Sequence, residues 1–253
     1  MQRNQPMAPE IVLQKISFFY NQHCLFQNLD LPLPAGSCTC LLGASGIGKS
    51  SLLQIMAGFS FDQYFRVSGT IVTDDLKPLR GRIMLMTQQD GLLPWLNALD
   101  NVLLGYRLRH DLTPAITHRA IEQLLQVGLT RNDLTKKPNQ LSTGMRQRIA
   151  LIRTVVEDKP IWLLDEPFSA LDALTRLNLQ NYLAELIVDK TVLLVTHDPL
   201  EALRLADYLY VMHGSPAQLT QISLPTTPKP RELNAELIDY QNKIFALLKR
   251  NAV

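Results

Sequence analysis

Apolar and polar residues alternate over residues 11–33 in short runs, Ile11 to Ile16, Leu25 to Leu29, then Leu31 and Leu33, with breaks at Asn21-Gln22 and at Pro32. That pattern predicts the antiparallel edge of a sheet. A continuous apolar run at Cys38–Leu42 reads as a buried strand, and Ser51–Ala57 behind it reads as a helix. Val67–Thr73 and Arg82–Met86 read as further strands. From Asp100 to Lys159 the apolar spacing turns helical, punctuated at Thr113-Pro114, Gly128 and Pro138. The segment opening at Ser142 is the clearest helix of this region: Met145, Ile149, Ile152 and Val156 share a face, and Ser142 stands where an N-cap belongs. Two apolar runs, Ile161–Leu164 and Thr191–Thr196, flank a helical stretch from Asp172 to Val188. Apolar strands alternating with helices predict a parallel sheet covered on both faces. A strand at Tyr208–Met212 precedes a turn at Gly214–Pro216, and a proline-rich linker, Pro225–Pro230, leads to a last helix with Leu233, Leu237, Tyr240, Ile244 and Leu248 on one face.

Composition adds constraints rather than identity. The chain has 253 residues, 46% of them apolar, enough for an ordinary globular core. A formal net charge of +2 supplies no strong electrostatic argument for nucleic acid or an anionic membrane surface as a partner, and no nucleic acid is expected. Three cysteines do not describe a disulfide framework and fit a reducing compartment. Cys38 and Cys40 alternate along one strand, so both face the same side and read as buried thiols. The first ten residues lack the apolar core of a signal peptide, and no apolar run is long enough to span a membrane.

The chemistry is concentrated at a few strand ends. Gly43-Ala44-Ser45-Gly46-Ile47-Gly48-Lys49-Ser50 matches G-x-x-x-x-G-K-[ST] between a predicted strand and a predicted helix. In that setting the loop amides and the helix N-terminus, down to Ser51, cradle phosphate oxygens; Lys49 reaches the β- and γ-phosphates and Ser50 ligates Mg²⁺. Ile161–Leu164 delivers Asp165 to the same sheet edge, where it can hold Mg²⁺ directly or through water, with Glu166 next to it free to polarise an attacking water. His197 emerges from the end of Thr191–Thr196, where a neutral imidazole can donate to a γ-phosphate oxygen. His23, His110, His118 and His213 lack such placement and read as surface residues. On composition alone Tyr20, which ends the aromatic cluster Phe18-Phe19-Tyr20, reads as core.

These motifs, in this order, resemble the ATP-binding cassette ATPases, the nucleotide-binding subunits of membrane transporters. Besides the phosphate loop there is a Gln-loop from Thr87 to Trp95, a signature at Leu141–Met145, the Asp165-Glu166 edge, a D-loop at Ser169–Asp172 and the switch His197. The resemblance implies an α/β fold: a P-loop NTPase core with a parallel sheet (11–90 and 160–215), an N-terminal antiparallel β subdomain within it, an inserted α-helical subdomain (91–159), and a C-terminal linker and helix (216–253). It implies ATP and Mg²⁺ as cofactors, with Glu166, His197, Lys49 and Gln88 catalytic and Ser50, Gln88 and Asp165 at the metal. Tyr20 matches the aromatic that stacks on adenine. Ser142 and Gly144 would hold the γ-phosphate of ATP bound to a second copy, so the working form is a homodimer. Two signature positions depart from the family: Thr143 stands where Gly is usual and Met145 where Gln is frequent, and a β-branched Thr143 is expected to restrict the backbone and slow closure. Leu92–Trp95 is an apolar loop patch suited to a membrane subunit. The resemblance is to the importer branch for nitrate, sulfonates, taurine and related small solutes. It implies transmembrane permease partners, a solute-binding protein, and a peripheral location on the cytoplasmic face of the inner membrane. A non-transport or regulatory cassette is the alternative; a GTPase is disfavoured because Asn242-Lys243 is followed by Ile244, not by the guanine motif.

Overall fold

The computed structural model describes residues 8–250; the extreme N-terminus, read above as free of a signal-peptide core, falls largely in residues 1–7 and so lies outside the described residues, as do 251–253. Two sheets and eight α-helices organise the described residues. The smaller sheet is antiparallel, with β1 (Ile11–Tyr20) between β2 (His23–Leu33) and β4 (Phe65–Thr73). The short runs expected here merge into two long strands. Pro32 does not interrupt β2, because β2 is the edge strand and its outer side needs no N–H donor.

The larger sheet has six strands in the order β5 (Ile83–Met86), β6 (Ile161–Asp165), β7 (Thr191–Thr196), β3 (Cys38–Gly43), β8 (Tyr208–His213) and β9 (Gln218–Ile222). All neighbours are parallel except β8 and β9. Strand periodicity divides its side chains between two cores. Cys40, Leu42, Trp162, Leu164, Val192, Leu194, Leu209 and Val211 enter one, shared with most of the helices. Leu41, Ile161, Leu163, Leu193, Val195, Tyr210 and Met212 enter the other, shared with the small sheet and with α1 (Lys49–Met56). A sheet covered on both faces accounts for the uninterrupted apolar runs of its strands. Cys38 and Cys40 do face one side, with sulfurs 4.0 Å apart, buried and unbridged.

Between β5 and β6 the chain is helical: α2 (Ala98–Val102), α3 (Leu104–Leu108), α4 (Pro114–Gln126) and α5 (Thr143–Glu157). Asn97, Thr113 and Ser142 cap α2, α4 and α5 by accepting backbone amides of the first turn. After β6 come α6 (Ala173–Leu186), capped by Asp172, α7 (Pro199–Leu205), capped by Asp198, and α8 (Ala235–Arg250). In α8, Leu237 and Ile244 are buried and Tyr240 and Leu248 pack beside them. Leu233 does not join this face: it precedes the helix and is exposed.

Candidate active site at the carboxyl edge of the central sheet

Strand register sets the site. Leu42 is opposite Thr196, Gly43 is opposite Met212, and Asp165 is opposite Val195, so β3, β6 and β7 release their chains side by side at one edge. From β3 the chain turns through Gly43–Ser50. A Cβ at Gly43 would come within 2.8 Å of the Met212 carbonyl oxygen, and Gly48 caps α1 from the left-handed region at φ +109. Ala44, Ser45 and Gly46 are exposed, Ile47, Ser50 and Ser51 are half-buried, and Lys49 is buried. Lys49 Nζ donates to the carbonyls of Gly43 and Ala44 at 2.8 and 2.9 Å. Burial lowers its pKa, while the carboxylates of Glu166 and Asp165 act in the opposite sense. Asp165 is shifted upward by burial, countered first by a hydrogen bond from Ser50. Its Oδ1 is buried and has no protein partner. A hydroxyl and a carboxylate with an unsatisfied hard oxygen suit Mg²⁺ completed by phosphate oxygens and water. Among the described residues no cluster of three or more His, Cys, Asp or Glu forms an all-protein metal cage.

Glu166 continues the β6 register for one residue, its N–H donating to the Val195 carbonyl at 2.9 Å, but its φ is +51. A left-handed backbone is uncommon for a residue other than glycine. Glu166 Oε2 lies 2.5 Å from His197 Nδ1. The carboxylate is therefore engaged, not free as expected from sequence. Its side chain is 7% exposed whereas that of His197 is 56% exposed, so the imidazole presents an open face above a buried carboxylate.

The remaining sequence-derived candidates are Tyr20, Gln88, Ser142 and Gly144. Tyr20 ends β1, 46% exposed, with its ring 4.8 Å from that of Phe65, so its simple reading as core is corrected. Gln88 is exposed just beyond β5, whose last residue pairs with Leu164. Ser142 is exposed and Gly144 half-buried at the start of α5; no hydrogen bond or ion pair among the described residues joins them to 43–51. Thr143 lies in ordinary helical backbone, so the expected restriction has no strained geometry behind it. The glycine requirement sits one residue later: a Cβ on Gly144 would be 3.2 Å from the Ala170 carbonyl oxygen.

Reading from sequence missed the residues that hold these pieces together. Gln147, buried in α5, donates through Nε2 to the Glu166 carbonyl (2.9 Å) and Ser169 Oγ (3.1 Å), and accepts from Ala170 N–H (2.9 Å). Arg146 pairs with Asp90 at 2.9 Å, and Arg153 donates to the carbonyls of Asp90 and Gly91. Arg146, Gln147 and Arg153 directly follow or lie near the recognised signature, the one signal that marked them.

The family model described as "ABC transporter" matches residues 26–169. The chain belongs to the ABC transporter family. Its cassette is 38% identical to the bicarbonate transport ATP-binding protein CmpD of Synechocystis sp., covering 96% of this chain and 90% of that protein. It is 40% identical to the aliphatic sulfonates import ATP-binding protein SsuB 1 of Xanthomonas axonopodis pv. citri, covering 83% of this chain and 84% of that protein. Among solved structures, the dimeric post-hydrolysis state of the ATP-binding cassette MJ0796, bound to ADP and Pi, superposes with a TM-score of 0.75 at 27% identity, over 86% of this chain and 100% of that one. The cassette described here thus has the α/β fold of an ABC ATPase. None of its helices among the described residues is long and apolar enough to cross a membrane.

Proposed function

We propose that this cassette hydrolyses ATP to drive import of a small solute through separate membrane subunits, as a homodimer closing over two ATP molecules. The observation that carries the hydrolytic part is the meeting of Asp165, Glu166 and His197 beside Lys49 and Ser50 at one sheet edge, with the Glu166 carboxylate against the imidazole. In this reading Gly43–Ser51 wraps the phosphates, with Tyr20 stacking on adenine at the rim. Lys49 exchanges its carbonyl partners for β- and γ-phosphate oxygens. Ser50 and Asp165 would hold Mg²⁺, with Gln88 at its outer side; the ion would neutralise charge on the transferred phosphoryl group. Glu166 orients and polarises the attacking water. A proton on His197 Nδ1 serves the Glu166 contact and leaves Nε2 of a neutral ring without a hydrogen. Donation from Nε2 to the γ-phosphate then belongs to the imidazolium, or to the tautomer in which Glu166 keeps the proton.

Ser142 and Gly144 would complete the site of a second copy, where a helix N-terminus attracts phosphate. The helical segment 91–159 then acts as a subdomain moving against the core formed by 11–90 and 160–215, and 216–253 as a C-terminal appendage. Trp95 is 65% exposed, on a loop pinned by buried Asn101, whose amide bonds the backbone of Leu93, Leu96 and Asn97. That aromatic suits contact with a transmembrane permease. The resemblance to bicarbonate and sulfonate import subunits favours a small anionic solute, delivered by a solute-binding protein, and a peripheral place on the cytoplasmic face of the membrane. The deciding experiment is Glu166→Gln: it should retain ATP, accumulate as an ATP-bound dimer in size-exclusion chromatography, and lose turnover by roughly 10²-fold or more. Full turnover in that variant removes Glu166 as the base.

A further inference from the structure

We infer that Gln147 is a positioning residue for Glu166, its amide clamping the left-handed backbone of that residue to the first turns of α5; the inference rests on the hydrolytic role proposed for Glu166. A non-glycine residue at φ +51 is held against its own preference, and such a conformation persists only where its surroundings over-determine it. The surroundings of Glu166 do so on both sides. Its N–H is taken by Val195, and its carbonyl oxygen receives Gln147 Nε2 at 2.9 Å, Ser169 Oγ at 3.2 Å and Ser169 N–H at 3.3 Å. Of these, only Gln147 comes from outside β6, β7 and the loop that follows Glu166. The amide spends both of its donors and an acceptor site on this task, since Oε1 takes the Ala170 N–H and Nε2 the Glu166 carbonyl and Ser169 hydroxyl.

The clamp also reaches the other end of the helix turn. Gly144 packs so close to the Ala170 carbonyl that a Cβ would be 3.2 Å away, and Ser142 caps the same turn through the Met145 amide. Residues 142–147 and 166–170 therefore form one interlocked unit. Ser142 and Gly144 at one end are placed for the partner copy's ATP; the Glu166 carboxylate at the other serves this chain's own ATP. Displacement of the helix start on closure pulls on the Glu166 peptide through the amide, so engagement of the partner's nucleotide sets the orientation of this chain's base.

Gln147→Glu tests this with almost no change in shape: it keeps an acceptor for Ala170 but removes the donor to the Glu166 carbonyl. The full-length variant should lose turnover by roughly tenfold or more with its KM for Mg·ATP changed less than about twofold, the split expected for an interaction that matters only to the chemical step. Without nucleotide, hydrogen exchange at the Ser169 amide should rise roughly tenfold more than at amides of the distant β1–β2 pair, a readout independent of activity that separates local loosening from the general loss of stability a buried carboxylate brings. Combined with Glu166→Gln, the variant should still accumulate as the ATP-bound dimer. If Gln147→Glu fails to fold, Ser169→Ala, which removes a weaker donor to the same carbonyl, should show the same split with a smaller loss. Turnover within about twofold of wild type, or a loss matched by an equal loss of ATP affinity, overturns the inference and leaves the hydrolytic reading standing. A wild-type chain without ATP turnover overturns that reading instead.

Discussion

Gly48 and Thr143 show how differently two positions in nucleotide-facing motifs depend on the identity of their side chains. Gly48 sits at φ +109 and its missing Cβ would lie 3.1 Å from the Phe26 ring, so both backbone and space demand glycine. Gly48→Ala should destabilise the chain by about 1–3 kcal/mol in denaturant unfolding and abolish ATP binding by tilting the start of α1. Thr143, in regular helix and exposed, carries no such demand, and its hydroxyl accepts weakly from Arg146 at 3.4 Å. The glycine-rich loop, Asp165-Glu166 and His197 were legible in the sequence because each ends an apolar strand, and strand ends of a parallel sheet gather at one edge. Gln147 was not, because a glutamine within a helix looks solvated until its burial is known. The tie between Glu166 and His197 was equally hidden: a left-handed φ at a glutamate has no signature in residue type.

At the scale of elements, α7 carries the clearest pH dependence. Glu201 is buried, accepts from Thr196 Oγ1 at 2.7 Å, lies 3.7 Å from Arg176 Nε and faces Asp198 and Glu166. Burial pushes its carboxyl up from 4.5 to about 7. A group harder to ionise when folded supports the fold while protonated. That support is complete below about 4.5 and is lost as pH rises through about 7, a span worth about 3 kcal/mol at most. Glu201→Gln should therefore melt higher than wild type at pH 8, with the difference shrinking or reversing at pH 5, as read by thermal unfolding across pH. The same helix marks where sequence patterning fails. With seven residues, nearly all buried, α7 has no polar face to reveal a period of 3.6. β9 escapes for the opposite reason: its side chains are partly exposed throughout, and it is ordered by antiparallel pairing with β8 across the Gly214–Pro216 turn. The buried parallel strands, short but continuously apolar, read correctly from sequence because both of their faces are covered.

At the scale of the whole molecule, the C-terminal segment is fastened by two buried arginines. Arg231 donates to the carbonyls of Leu203 and Ala206 at the end of α7 and to that of Pro225. Arg204 reaches back to the Arg231 carbonyl and across to Gln180 and Asn181 of α6. Removing the guanidinium in Arg231→Met leaves several buried carbonyls unpaired, at about 1–3 kcal/mol each before relaxation. A drop of several degrees in melting temperature is expected, with faster proteolysis confined to residues beyond Pro225. That no hydrogen bond or ion pair among the described residues joins Gly43–Ser51 to Ser142–Gly144 within one chain has a consequence for rate laws. If each catalytic site is assembled from two copies, turnover by the free subunit is second order in protein when dilute, and its specific activity climbs with concentration before levelling off. Tethering two copies to one permease replaces that collision by a fixed local concentration. A cassette adrift from its membrane partner then consumes little ATP, and dilution itself keeps it quiet.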